Sequence, residues 1–224
     1  MLELEQSVDA VVVGDAGGLS RILDAGRDVV VWERALDREI IESLSTWIHK
    51  RDLSIDFPGI PDHRMTARLL GELMHAGCEP GRALRAFAVD VTFLAGVFAR
   101  IDGRDKVRVR LETLRDDGCT KFHVDFLRLR LLCTYAGPGT EWVPGAHVNR
   151  AALGQPAYSI EEANRRIVPD PGMVRVAPTG SVMVFKGAGY TGKRGEGLVH
   201  RSHPVRHAGE TRLRLCIDAP DSGY

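Results

Sequence analysis

The hydrophobic period of the chain changes near residue 105, and that change bounds the fold more tightly than any other feature. Before it, apolar residues recur at helical spacing. Ile40, Ile41, Leu44, Trp47 and Ile48 follow a capping Asp37, then come Met65, Leu69, Leu70, Leu73 and Met74, then Leu84, Phe87, Val91, Leu94 and Phe98. From KVRVRLETL onward the period is two, with Val107, Val109 and Leu111 alternating against Arg108, Arg110 and Glu112. FLRLRLLCTY, MVRVA, SVMVF, GLVH and TRLRLCID continue as short strands between Gly and Pro signals, with a turn or more of helix at 160–166. Helices first and strands afterwards argue against a doubly wound parallel sheet, which needs the two to alternate. They predict antiparallel strands in a sandwich or barrel, supported by helices on one side.

The expected class is α+β, with residues 1–104 as a mainly helical support region and 105–224 as the β core, packed as a single domain. Within the first part, Val11–Val13 breaks off at Gly14 and reads as an irregular leader, and DLSIDFPGIPDH reads as a break carrying two prolines. The third helix is expected over 82–99, ending before IDGRD. A chain of 224 residues can bury roughly two thirds of its unfolded surface, so neither disulfides nor a structural metal are needed to hold it together. A metal would serve chemistry.

With 30 Lys plus Arg against 30 Asp plus Glu, no long-range field draws the chain to nucleic acid or anionic lipid. The start, MLELEQSVDAVVVGDAGG, carries acids where a secretory signal carries a basic region, and no apolar run approaches about 18 residues. A cytoplasmic protein without a membrane partner is expected. Cys78, Cys119, Cys133 and Cys216 form no CxxC pair and read as buried free thiols, with only Cys119 near chemistry-bearing residues.

Those residues lie in DDGCTKFHVDFLRLRLLCTY. His123 and Asp125 stand two apart near the start of an extended segment, so one nitrogen and one oxygen donor can point to the same side of a strand. A third imidazole would complete the two-histidine, one-carboxylate face that leaves several positions open on Fe(II). As an isolated pair, HxD is also served by a hydrogen-bonded histidine and an aspartate in a turn. His200, ending the strand GLVH, is the favoured third donor; His203 and His207 compete but sit in or beside a turn marked by Pro204 and Gly209. Arg212 and Arg214 alternate with Leu213 and Leu215 and share one strand face. That face is either an outer one or an interior one, and an interior arginine requires an anion, best a carboxylate held bidentately. Arg128 and Arg130 carry the same ambiguity. GAGYTGKR, residues 187–194, nearly matches a phosphate loop, but Arg194 stands where a Ser or Thr hydroxyl is needed and GEG follows where a helix should start. It reads instead as a glycine-rich loop leading to His200, near the opening of a site.

The order HVD, GPGTEW, VMVFKG, VHRSHPV and RLRLCID, over about residues 105–218, resembles the double-stranded β-helix (jelly-roll, cupin-like) core of the Fe(II)- and 2-oxoglutarate-dependent dioxygenases, especially their prolyl-hydroxylase-like branch. The whole chain also resembles a bacterial family of domains of unknown function. The dioxygenase resemblance implies iron held by His123, Asp125 and His200, with Arg212 holding the distal carboxylate of 2-oxoglutarate and Arg214 as a rival anchor. It implies an oxygenase that consumes O2, converts 2-oxoglutarate to succinate and hydroxylates a small-molecule or peptide substrate. Tyr135 would hydrogen-bond the cosubstrate and Trp142 would line the substrate mouth, although packing accounts for either. Two alternatives remain open. One is a zinc site of the same three residues, with Cys119, acting in hydrolysis or metal handling; the other is a non-catalytic cupin-like binding module. A sulfur within about 2.3 Å of the metal or an Arg212 facing solvent would favour the first, and a failure of the triad to converge the second.

Overall fold

The computed structural model describes residues 9–50, 52–205 and 209–221, and within the first helix the side chains of 43 and 45–47, Trp47 among them, lie outside that description. So do the acidic start MLELEQSV and His207.

Among the described residues ten strands follow in chain order: β1 (Ala10–Val13), β2 (Val29–Trp32), β3 (Ser54–Gly59), β4 (Val107–Leu114), β5 (Leu129–Ala136), β6 (Glu141–Val143), β7 (Arg175–Val176), β8 (Val182–Lys186), β9 (Val199–Arg201) and β10 (Arg212–Asp218). Four α-helices accompany them: α1 (Arg38–Trp47), α2 (His63–His75), α3 (Arg82–Asp102) and α4 (Ile160–Ile167). A seven-stranded sheet has the order β1-β2-β8-β5-β10-β4-β3, and a three-stranded sheet the order β7-β6-β9. Among the described residues only the β1–β2 pair is parallel. The architecture is mixed α+β built on one large sheet.

The helices start and stop where local chemistry dictates. Asp37 caps α1 by accepting from Glu39 N at 2.8 Å, and Asp62 caps α2 by accepting from Arg64 N at 2.8 Å. The third helix runs to Asp102, past the expected end at 99, and stops at Gly103, whose φ of +70° leaves the helical region at no steric cost. Leu84, Phe87, Val91, Leu94 and Phe98 of α3 are buried in one core with Ile40 and Leu44 of α1, with Ile48 that caps its end, and with Leu131, Val184, Leu213 and Leu215 of the large sheet. Ile41, expected on the buried face of α1, is half exposed. No helix among the described residues is long and apolar enough to cross a membrane.

The strands β1, β2 and β3 correct the division at residue 104, because the first hundred residues contribute three strands to the large sheet. The Val11–Val13 run is part of β1, paired in register with Val30–Trp32. DLSIDFPGIPDH contains β3, whose Ile55 and Phe57 are buried while Ser54, Asp56 and Pro58 are exposed. Pro58 does not interrupt it, because β3 lies at the edge of the sheet, where a missing N–H costs no ladder bond.

The alternation in β4, β5 and β10 is as expected, but the side it faces decides the function. Their apolar residues Val109, Leu111, Leu129, Leu131, Leu213 and Leu215 turn to the helices. The opposite face turns to the small sheet. Leu132 and Cys216 from it join Trp142 of β6, Leu198, and Met183 and Phe185 of β8 in a second buried cluster between the sheets. Of the arginines interleaved in these strands, Arg110, Arg130 and Arg212 therefore point into the protein, whereas Arg108 reaches Asp56 of the edge strand and stays part exposed.

Candidate metal centre

His123 lies in a short extended segment tied to β9 by two reciprocal bonds, His123 N to His200 O and His200 N to His123 O, both 3.0 Å. The antiparallel bridge sets the two rings side by side, with centroids 4.5 Å apart. Asp125, two residues on, returns to the same side as the alternation requires. Its Oδ1 is 3.4 Å from His123 Nε2 and its Oδ2 3.4 Å from His200 Nε2, and one donor atom from each of the three residues lies within 4.8 Å of the others. Neighbouring ligands on an ion bound at about 2.1 Å are separated by roughly 3.0–3.4 Å, so the spacing suits a shared metal.

The outward nitrogens are also set. His123 Nδ1 lies 2.8 Å from Lys121 O and His200 Nδ1 3.2 Å from Leu198 O. A carbonyl only accepts, so each Nδ1 carries hydrogen and the metal-facing atom is Nε2. Phe185 covers His200, ring centroids 4.7 Å apart. The segment before His123 is held by Asn164 of α4, which accepts from Phe122 N at 2.8 Å and donates to Thr120 O at 2.9 Å. The segment after Asp125 lies against the glycine-rich loop. A Cβ on Gly187 would stand 2.4 Å from Leu127 O and 2.6 Å from Asp125 O, so only glycine permits that approach. The loop forms a short 3-10 turn at Ala188–Tyr190 in place of a phosphate-binding helix start.

Burial alone would raise the Asp125 carboxyl, but His200, His123 and Arg130 outweigh it and hold the group well below the usual carboxylate range. For His123, burial is outweighed by its bonds to Asp125 and Cys119, and the imidazole is raised to about 10. His200 moves the other way, lowered by burial despite Asp125. In the metal-free site one histidine thus carries a proton toward the carboxylate and the other is neutral.

The remaining expected site residues separate. His203 turns away from the triad and pairs with Glu141 at 2.6 Å. Arg212 is fully buried on the inner face of β10. Its partners are neutral hydroxyls, Ser202 Oγ at 2.6 Å and Thr134 Oγ1 and Thr140 Oγ1 at 3.4 Å, and its Nε has no partner among the described residues. Burial and the nearby Arg214 lower Arg212 to about 10. Arg214, in contrast, is engaged by Glu112 at 2.7 Å. Tyr135 does not face the site. It shares the parity of Leu131 and Cys133, turns to the helices and donates to Asp90 Oδ2 at 2.5 Å. Trp142 is buried between the sheets opposite His200 and does not line a mouth, and its Nε1 has no partner among the described residues. Cys119 is exposed, unlike the other three cysteines. Its sulfur lies 3.6 Å from His123 Nδ1 and 3.9 Å from Nε2, nearer the nitrogen that faces away from the metal position.

Sequence reasoning assigned no role to Arg110, Asn164 or Asp218 and left Arg130 undecided. Arg130 Nη1 donates to Asp125 Oδ2 at 2.6 Å, whereas Arg128 lies at the surface and pairs with Asp102. The available signal was parity: Arg130 alternates with Leu129 and Leu131, as Arg212 does with Leu213.

The sequence model of a family described as Protein of unknown function (DUF1826) matches residues 14–218, a span that contains every residue of this centre. The chain belongs to the DUF1826 family. No curated protein matches the sequence. Among solved structures, this DUF1826 chain is similar to dioxygenase for auxin oxidation 1 from Arabidopsis thaliana in its binary complex with 2-oxoglutarate, at 9% identity over 94% of this chain and 91% of that one, with a TM-score of 0.51. A prolyl-4-hydroxylase from Pseudomonas putida aligns at 9% identity over 91% of this chain and 97% of that one, with a TM-score of 0.47. The likeness to the Arabidopsis protein establishes a shared fold for the DUF1826 chain and nothing finer.

Proposed function

We propose that this DUF1826 chain is an Fe(II)- and 2-oxoglutarate-dependent oxygenase acting on a small-molecule or peptide substrate. Its two facing sheets are read as the double-stranded β-helix, with the N-terminal helices supporting the outer face of the larger sheet. The observation that carries the reading is Arg212: a fully buried guanidinium whose hydrogen-bond partners among the described residues are hydroxyls, on the same interior as three converging metal donors. A buried cation with no carboxylate in hydrogen-bond reach, Glu141 acting on it only from a distance, is costly, and a ligand carboxylate at this point offsets the cost.

The residues fit both components. Two imidazole Nε2 atoms and one carboxylate form the facial donor set that suits ferrous iron, and the unpartnered Arg212 Nε suits a carboxylate fork. When bound, iron with its 2-oxo acid would supply the oxygen activation. The chain's own residues supply position and environment. Ser202, two residues beyond His200, holds Arg212 and so links the anchor to the strand of the third donor. The carbonyls of Lys121 and Leu198 keep Nε2 of both histidines aimed inward. Phe185, Trp142 and Leu198 exclude bulk water from the space behind His200. The zinc alternative has less support, since nothing in a hydrolase requires a buried unpaired arginine and Cys119 lies outside the converging set.

Anaerobic Fe(II) titration followed by 2-oxoglutarate tests the proposal. The expected result is a visible charge-transfer band that needs both additions, absent in Asp125→Ala and recovered only at much higher 2-oxoglutarate in Arg212→Met. Fe(II) binding without any response to 2-oxoglutarate would overturn it.

A further inference from the structure

Asp125 is the part-buried end of a chain of alternating charge that runs into the interior. Arg130 Nη1 donates to Asp125 Oδ2 at 2.6 Å, while its Nη2 and Nε reach Asp218 Oδ2 at 2.6 and 3.2 Å. Asp218 is in turn held by Arg110 Nη2 at 2.5 Å. The side chains of Arg110 and Asp218 are 4% and 1% exposed, so water does not loosen the far end. A guanidinium is planar, and one fixed at two edges cannot rotate about its axis. The Asp125 carboxylate is therefore oriented: Oδ2, 3.4 Å from His200 Nε2, already accepts from Arg130, and Oδ1, 3.4 Å from His123 Nε2, is the oxygen that no arginine shares among the described residues.

We infer that Arg130 is a positioning residue for the metal centre, whose fork, braced by Asp218 and Arg110, makes Asp125 offer a single oxygen to the ion and leaves the positions a two-oxygen carboxylate would take. This rests on the metal-binding part of the proposed function. Simple charge balance is a different role, and lysine distinguishes the two. Lysine keeps the positive charge but, as a single-point donor, cannot bridge both carboxylates with a fixed plane.

The test is Co(II) titration of the metal-free full chain, read by visible absorption, with circular dichroism melting as a control for folding. Arg130→Lys is expected to fold and to bind Co(II) about 10–100-fold more weakly, the range for lost outer-shell partners, with altered absorption bands. Asp218→Asn, which leaves Arg130 in place but unbraced, is expected to shift the same bands. Arg130→Met is expected to be at least as weak as the lysine variant; should it not fold, the lysine variant decides. A folded Arg130→Lys with wild-type Co(II) affinity and bands would overturn the inference while leaving the metal centre standing. Failure of the wild-type chain to bind Co(II) would overturn both.

Discussion

His123 and His200 are each other's backbone partners, N–H to carbonyl in both directions at 3.0 Å. The spacing of the two imidazoles is thus set by strand pairing and does not depend on either side chain. His123→Ala and His200→Ala are accordingly expected to keep the fold and to lose Fe(II) retention, measured by anaerobic dialysis beside circular dichroism. Loss of Fe(II) with intact secondary structure is the signature; retention in both variants would contradict the site.

Arg212 gives a prediction of opposite sign for stability and for binding. Without ligand its charge is buried among hydroxyls, so Arg212→Met is expected to leave stability in urea equal or raise it. The wild type in Fe(II) and 2-oxoglutarate at about 100 times the dissociation constant should gain about 2.7 kcal/mol from ligand linkage. The methionine variant should gain nothing beyond the metal's own share.

Much of this centre was legible because strand geometry has a period of two: His123 with Asp125, and Arg212 with Arg214, fall on shared faces without any tertiary knowledge. Which face is inside is not local information. VRVR and LRLR read equally well as outer faces, and only the packing of the small sheet against β5 and β10, with Asp218 of β10 holding Arg110, makes Arg110 and Arg130 interior. The same parity, applied to Tyr135, places it with Leu131 and Cys133 on the helix side. Strand β3 was hidden by Pro58, which an edge position tolerates. Asn164 had no signal at all, since its partners lie more than forty residues away in sequence.

Asn164 bears on metal binding through the backbone. Asn164→Ala leaves Phe122 N and Thr120 O without their side-chain partner in a buried setting, and is expected to cost about 2–3 kcal/mol in urea denaturation. It should also weaken metal affinity by loosening the segment that ends at His123. Asp37→Ala, which removes an exposed helix cap, is the control: about 1 kcal/mol of stability and no change in metal affinity.

The proton on His123 fixes a pH dependence. In the metal-free chain this imidazole is raised to about 10, while His200 is lowered and Asp125 is already ionised. Metal uptake near neutral pH should therefore release one proton, and affinity should rise about tenfold per pH unit until about pH 10. Stability of the metal-free chain runs the other way. The contribution of a raised histidine is complete below its ordinary value of 6.5 and is lost as pH climbs through about 10. Calorimetry in buffers of different ionisation enthalpy counts the proton; a count of zero or two would refute this assignment.

Cys119 separates an iron from a zinc reading. Its sulfur contacts His123 at 3.6 Å on the Nδ1 side, and the His123 bond lowers its thiol against the effect of burial. A thiolate that ligated the metal would make Cys119→Ser lose affinity steeply, because a serine hydroxyl is a poor ligand for zinc. If instead Cys119 only neighbours the ligand, Cys119→Ser should leave Co(II) affinity within about threefold, and the wild-type Co(II) spectrum should already be free of a sulfur charge-transfer band. The second outcome is expected, because the three donors that converge are His123, Asp125 and His200.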